Sequence, residues 1–146
     1  MSSVGEKAAT YFIKDGFCCA EGVWLALADS DSLSKEERDF GNKLAASFCG
    51  GTGAQLLCGA LAGGVLTLGR WFGRVPGESR NQDLPLYTKA LVDAFRAEFG
   101  HVDCLDLKPK LEDSAAIREH CKAFVLFVAL KVEELLDKGL EGEDCG

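Results

Sequence analysis

The stretch from residue 48 to residue 69 places the strongest constraint on the fold, because these 22 consecutive residues contain no charged side chain. Such a segment is either buried in protein or inserted into a membrane, and a bilayer span needs about 20 apolar residues. The run Gly50-Gly51-Thr52-Gly53 would break a helix close to the beginning of this segment. The part of the segment beyond the break is too short to span a bilayer. We therefore interpret the segment as a turn that leads into a buried helix, and we expect no membrane insertion.

Apolar residues recur at helical spacing along most of the chain, while the alternation typical of strands is nearly absent. The first helix is predicted to begin near Ser3, where Ser3 and Glu6 form a capping-box pattern, and to bend at Gly16. A second helix is predicted to begin at Ser34 and to end near Ser47. One apolar face of the first helix is formed by Phe12, Cys19, Val23 and Leu27.

A third helix, predicted over residues 54–72, is apolar on nearly all sides, so we expect it to be the central, buried and glycine-rich helix. A fourth begins near Asp83 after a polar loop and stops at Gly100. The fifth runs over residues 114–138 and is followed by Gly139. The predicted fold is an all-α, single-domain bundle of about five helices over residues 1–146, with 141–146 as a flexible tail.

The charge of the chain narrows the classes of partner. The formal net charge is −7, which argues against nucleic acid, since Lys and Arg supply most of the affinity for phosphates. The first residues lack the basic and apolar regions of a secretory signal. We therefore expect a cytoplasmic location, where thiols are kept reduced.

Seven cysteines form the most prominent set of reactive side chains: Cys18, Cys19, Cys49, Cys58, Cys104, Cys121 and Cys145. Their spacing matches neither a C-x-x-C motif nor a paired zinc-ribbon arrangement, so any site must be assembled from separate helices. Cys58 is the strongest single candidate, because it lies near the start of a helix, where the N-terminus favours the thiolate. We expect Cys58 to have the lowest thiol pKa, and Gly59 to leave room for a second sulfur, a substrate or a metal.

The other cysteines have simpler interpretations when each is taken alone. Cys19 and Cys121 lie on apolar faces, where a free cysteine acts as a small hydrophobic residue. Cys49 is expected to reach the region of Cys58 as a reserve thiol. The roles of Cys18 and Cys145 are left open.

Cys104 lies in a connection after a helix stop, where functional residues concentrate. His101 stands three residues before it, and this pair could share a metal ion. Two ligands do not make a metal site by themselves, so we interpret His101 as a partner at the end of the preceding helix.

In their order, these residues resemble the C_GCAxxG_C_C family of redox-active proteins. The matching segments are Cys19-Ala20-Glu21, Phe48-Cys49-Gly50-Gly51-Thr52-Gly53, Cys58-Gly59-Ala60-Leu61-Ala62-Gly63, Cys104-Leu105-Asp106-Leu107, and Cys121 ahead of the apolar run 124–130. The resemblance implies that the family's shared cysteines are here Cys19, Cys58, Cys104 and Cys121, and that they serve a redox role. Cys18 and Cys49 are additional to the four-cysteine pattern.

Three hypotheses are consistent with the sequence. In the first, the protein is a thiol-dependent oxidoreductase that needs no cofactor. Cys58 attacks a redox partner protein or a small oxidant, and Cys19 or Cys104 resolves the mixed disulfide. In the second, the four shared cysteines bind zinc or an iron–sulfur cluster for electron transfer. In the third, the protein is a helical scaffold with inert cysteines. The face that carries Gly59 and Gly63 could pack a neighbouring helix or a second copy in a homodimer.

Overall fold

The structure, a computed structural model, describes residues 3–140, so the predicted tail and Cys145 lie outside the described residues. Residues 3–140 form seven helices and no β-sheet, apart from one antiparallel bridge between Leu57 and Asp103. The helices are α1 (Val4–Ile13), α2 (Cys19–Ser30), α3 (Lys35–Ala46), α4 (Gly59–Phe72), α5 (Leu84–Phe99), α6 (Cys104–Leu107) and α7 (Ser114–Lys138). The all-α class is confirmed, and the count of about five is too low. None of these helices combines the length and apolar content that a bilayer crossing requires.

The predicted first helix is two helices. Gly16 has a φ of +82°, a left-handed conformation that no residue inside an α-helix adopts, so the predicted bend is a complete break. The chain reverses there, and α1 packs against α2. Gly22 permits the close approach, since a Cβ at that position would lie 3.0 Å from the Ala8 carbonyl oxygen.

The predicted third helix begins five residues later than expected, at Gly59 rather than Ala54. Residues 51–55 instead form one wide helical turn that contains left-handed residues, among them Thr52 at φ +62° and Gln55 at φ +59°. Leu56 then continues in a non-helical conformation. Cys58 is therefore the residue that caps the N-terminus of α4, instead of lying inside its first turn.

Most of the other helix ends lie where local signals predicted them. The hydroxyl oxygens of Ser3 and Ser34 accept the backbone N–H groups of Glu6 and Glu37 at 3.1 and 3.2 Å. Gly100 ends α5 in a left-handed conformation, and Gly139 follows α7. The short helix α6 was not predicted and accounts for the remaining difference in number.

The centre of the protein is shared by α2, α4 and α7, which all pack against one another, so the prediction that the glycine-rich helix is the central one is not confirmed. A Cβ at Gly63 would lie 2.7 Å from the Ala20 carbonyl oxygen of α2. The face of Gly59 and Gly63 is therefore covered by α2 of the same chain and is not available to a second copy. Fully buried side chains of the core include Leu25, Leu27, Leu61, Leu68, Leu91, Phe95, Val125, Val128 and Val132.

Candidate functional site

Four free thiols line one small cavity of about 40 Å³. They come from four separate parts of the fold: Cys19 begins α2, Cys58 caps α4, Cys104 begins α6 and Cys121 lies on α7. The rest of the lining is Gly59, Leu107, Lys108 and Phe124. We call this set of eight residues the thiol pocket. The structure thus brings together all four cysteines that the resemblance singled out, while their roles as nucleophiles or ligands remain a prediction.

Cys58 and Cys104 are held by a short pairing of two otherwise irregular segments. The Cys58 N–H donates to the Val102 carbonyl oxygen at 2.8 Å, and the Cys104 N–H donates to the Leu56 carbonyl oxygen at 2.6 Å. These bonds flank the antiparallel bridge between Leu57 and Asp103. The pairing fixes the start of α4 beside the start of α6, so these two cysteines are positioned by the backbone itself.

Cys19 occupies the space that a side chain at residue 59 would need. A Cβ on Gly59 would lie 2.4 Å from the Cys19 Sγ, so only glycine allows the sulfur to reach the pocket there. The expectation that Gly59 leaves room for a second sulfur is confirmed, and that sulfur is the one of Cys19.

Cys121 is half-buried and lies one turn after Arg118 on α7. The Arg118 guanidinium donates to the carbonyl oxygens of Phe12 and Phe17 and lies 4.2 Å from the centre of the Phe12 ring. It therefore ties α7 to the connection between α1 and α2. Burial, followed by the nearby thiols of Cys19 and Cys104, raises the pKa of Cys121 to about 11, while Lys108 and Arg118 oppose the shift.

The prediction that Cys58 has the lowest thiol pKa is wrong. Its side chain is only 6% exposed, and burial, followed by the neighbouring Cys19, raises its pKa to about 12. The backbone N–H groups of Leu61 and Ala60, at the start of α4, favour the thiolate and lower the pKa of Cys58, as a helix N-terminus should. Their effect on the pKa is smaller than that of burial, because a charged thiolate is poorly stabilised away from water. Burial also raises the pKa of Cys19.

We predict that Cys58 alkylates far more slowly at neutral pH than an ordinary cysteine. With a pKa of about 12, only about one molecule in ten thousand carries the thiolate at pH 8, against about a quarter for an ordinary cysteine. Its rate should rise about tenfold for each pH unit up to pH 10. Mass spectrometry of iodoacetamide time courses measures this, with protein unfolded in urea as the reference. Equal rates for Cys58 in native and unfolded protein would contradict the prediction.

Cys18 and Cys49 form a disulfide with their Cα atoms 5.7 Å apart. The bond links the residue that caps α2 to the turn after α3. Cys49 is therefore not a reserve thiol for Cys58, and that expectation is wrong. No spacing rule identifies such a pair, whose members are 31 residues apart.

Neither histidine belongs to the thiol pocket. His101 is exposed and follows the glycine that ends α5, so the pairing with Cys104 around a metal has no support from their positions. His120 is also exposed, and its ring lies 5.7 Å from that of Phe124.

Comparison with known proteins places the chain in a family. The model of the family described as "Putative redox-active protein (C_GCAxxG_C_C)" matches residues 17–135. The chain belongs to this family. The matched range includes the four cysteines of the thiol pocket as well as Cys18 and Cys49. Neither the curated proteins nor the solved structures contain a significant match.

Proposed function

We propose that the protein transfers electrons by thiol–disulfide exchange in the thiol pocket. The observation that carries the proposal is the meeting of four free thiols from four separate elements around one cavity. Cysteines that serve only as small apolar residues are expected at separate places in the core, without contact between their sulfurs. Membership in a redox-active family supports the same interpretation.

Cys104 is the thiol best placed to react first. It is half-buried, whereas Cys58 is buried with a pKa of about 12. The thiolate of Cys104 attacks a disulfide of the partner protein, and one partner sulfur leaves as a thiolate that takes up a proton. This step forms a mixed disulfide between Cys104 and the partner.

Cys58 is the resolving thiol, because the backbone pairing holds it beside Cys104. It loses its proton as its sulfur attacks the Cys104 Sγ, and the second partner sulfur leaves and is protonated. Two electrons have then passed to the partner, which becomes a dithiol, and the protein carries a Cys58–Cys104 disulfide. A resolving thiol attacks within one molecule, where the reacting atoms are already close. A high pKa therefore slows its reaction less than it would slow that of the first nucleophile.

A second candidate function is cysteine-ligated electron transfer, and the same convergence of thiols favours it. Cys19, Cys58, Cys104 and Cys121 would hold the group, and a donor set of four thiolates suits an iron–sulfur cluster that accepts and releases single electrons. Within residues 3–140, no three of these sulfurs lie within 4.8 Å of one another. A tetrahedral zinc ion with bonds of about 2.3 Å holds its sulfurs about 3.8 Å apart, so a single zinc ion fits less well. The cavity, of about 40 Å³, has room for about three water molecules, which favours thiol exchange over a cluster of several atoms.

Mild oxidation tests the proposal, in protein that keeps its Cys18–Cys49 disulfide and carries the four thiols of the pocket in reduced form. We predict that one equivalent of diamide produces a Cys58–Cys104 disulfide as the main new bond, since the bridge between Leu57 and Asp103 joins the two segments that carry these cysteines. Peptide mapping after alkylation of the remaining thiols identifies the product. A main product without Cys104 would contradict the assigned pair. A brown colour with stoichiometric iron after anaerobic purification, lost in a Cys58→Ser variant, would favour the second candidate instead.

A further inference from the structure

A second group of metal-binding side chains lies outside the thiol pocket. Cys18, Glu21 and Cys49 each offer one ligand atom, and these three atoms lie within 4.8 Å of one another. In the structure the two sulfurs are joined as a disulfide. All three residues are half-buried, and they come from the beginning of α2 and from the turn after α3. We call them the Cys18/Glu21/Cys49 cluster.

The Glu21 carboxylate is fixed by neutral groups. Its Oε1 accepts the Cys18 N–H at 3.0 Å, and its Oε2 accepts the Asn42 Nδ2 at 3.1 Å. Glu21 forms no ion pair with any residue in the described range 3–140. The Asn42 Oδ1, in the same amide, is buried and has no hydrogen-bond partner. Among the described residues, the carboxylate is therefore held in place without a cationic side chain to neutralise its charge. The nearby Asn42 Oδ1 lacks a hydrogen-bond donor.

We propose that reduction of the Cys18–Cys49 disulfide turns this cluster into a binding site for a thiophilic divalent cation, with Zn²⁺ as the best match. A dithiol reductant supplies two electrons and two protons and is itself oxidised to a disulfide, while the S–S bond breaks and two thiols form. Each thiol gives its proton to solvent as its sulfur binds the ion. Glu21 supplies the third ligand, and water completes a tetrahedral set. A disulfide oxidant takes two electrons from the two bound sulfurs and two protons from solvent and becomes a dithiol, and the S–S bond that forms between Cys18 and Cys49 releases the ion.

The chemistry of the donors decides the class of metal. Two thiolates and a carboxylate suit zinc, whereas calcium and magnesium prefer sites made of oxygen alone. Reduction places two thiols that can ionise next to a fixed carboxylate, and a divalent cation relieves the repulsion among the three negative groups. Cys18 also caps α2, a helix of 12 residues, whose N-terminus favours the thiolate form.

The exchange of a disulfide for a metal ion preserves the geometry of the neighbouring thiol pocket. Cys18 precedes Cys19, whose sulfur lies in that pocket. The disulfide ties the beginning of α2 to the turn after α3 under oxidising conditions. A bound ion would tie the same two segments in a reducing compartment, where the disulfide is lost. The position of Cys19 would then be kept in both states.

Zinc titration of the full chain tests the inference. The protein is reduced anaerobically with a phosphine, freed of reductant and titrated with Zn²⁺ against a chromophoric chelator. We expect the reduced wild type to bind one more equivalent than the Cys18→Ser/Cys49→Ser variant. Wild type with its Cys18–Cys49 disulfide intact should lack the same equivalent. Glu21→Gln should lower the affinity for this additional Zn²⁺ ion about tenfold or more. Glu36→Gln, which changes an exposed glutamate on α3, should leave that affinity unchanged.

A protection experiment gives a readout that needs no variant. Zn²⁺ should slow the alkylation of Cys18 and Cys49 in the reduced wild type, as followed by mass spectrometry. Equal zinc binding by wild type and the double serine variant would overturn the inference, and so would equal affinities of Glu21→Gln and Glu36→Gln. Protection confined to Cys19, Cys58, Cys104 and Cys121 would also overturn it, because the ion would then occupy the thiol pocket.

Discussion

Cys104→Ser is expected to slow the reaction with a disulfide substrate by roughly a thousandfold or more, the scale of effect seen when an enzyme loses its nucleophile. A serine hydroxyl is not ionised near neutral pH and cannot form a disulfide, so the first step is lost. The remaining pocket thiols cannot replace it, because burial raises the pKa of Cys58 to about 12 and that of Cys121 to about 11. The measurement is the release of coloured thiolate from an aromatic disulfide at pH 8, by protein in a Cys18→Ser/Cys49→Ser/Cys145→Ser background, where only the four pocket thiols can react.

Two further variants separate the roles of the paired cysteines. Cys58→Ser should still react once but should stop at the mixed disulfide, which mass spectrometry detects as an adduct on Cys104. Restoring Cys145 to this background adds a thiol outside the described residues and serves as the control for thiol number. If Cys104→Ser keeps the wild-type rate while Cys58→Ser loses it, Cys58 is the first nucleophile, and our assignment is wrong.

Helix ends were predictable wherever the deciding interaction is local. The Ser34 hydroxyl caps a backbone N–H only three residues away, and Gly100 ends α5 through its own left-handed conformation. The start of α4 was misplaced because its cause is distant in sequence. Thr52 and Gln55 adopt positive φ values that their residue types disfavour. The bridge between segments 56–58 and 102–104, about 46 residues apart, ends that irregular stretch just before Cys58.

The membership of the thiol pocket was predictable only through the resemblance, because each cysteine alone has an ordinary interpretation. The protonation of Cys58 was not predictable, since two opposing effects meet there. The local effect, the N–H groups at the start of α4, could be inferred from the sequence. The larger effect, burial beneath neighbouring helices, depends on how α2, α6 and α7 pack around the residue. The Cys18–Cys49 disulfide is likewise a product of packing between α2 and the turn after α3.

Gly41→Ala is expected to lower the free energy of unfolding by about 3 kcal/mol, near the upper end for overpacked cores. A Cβ at Gly41, in the middle of α3, would lie 1.9 Å from Cζ2 and 2.2 Å from Cε2 of the Trp24 ring. The ring cannot move aside easily, because it is only 3% exposed and its Nε1 donates to the Arg38 carbonyl oxygen at 2.8 Å. Alanine favours a helix over glycine by about 1 kcal/mol, which offsets only part of this cost. Urea unfolding followed by circular dichroism measures the difference.

Gly69→Ala provides the matched control, because Gly69 lies in α4 and a Cβ there would have no atom within 4 Å. It should raise the free energy of unfolding by about 0.5–1 kcal/mol through helix propensity alone. Equal effects of the two substitutions would show that the contact between Gly41 and Trp24 does not position α3.

If the contact does position α3, Gly41→Ala has a second consequence. α3 carries Asn42 and leads to Cys49, so displacing it moves Cys49 away from Cys18. After reduction and air oxidation, the variant should therefore recover less of the Cys18–Cys49 disulfide than Gly69→Ala does.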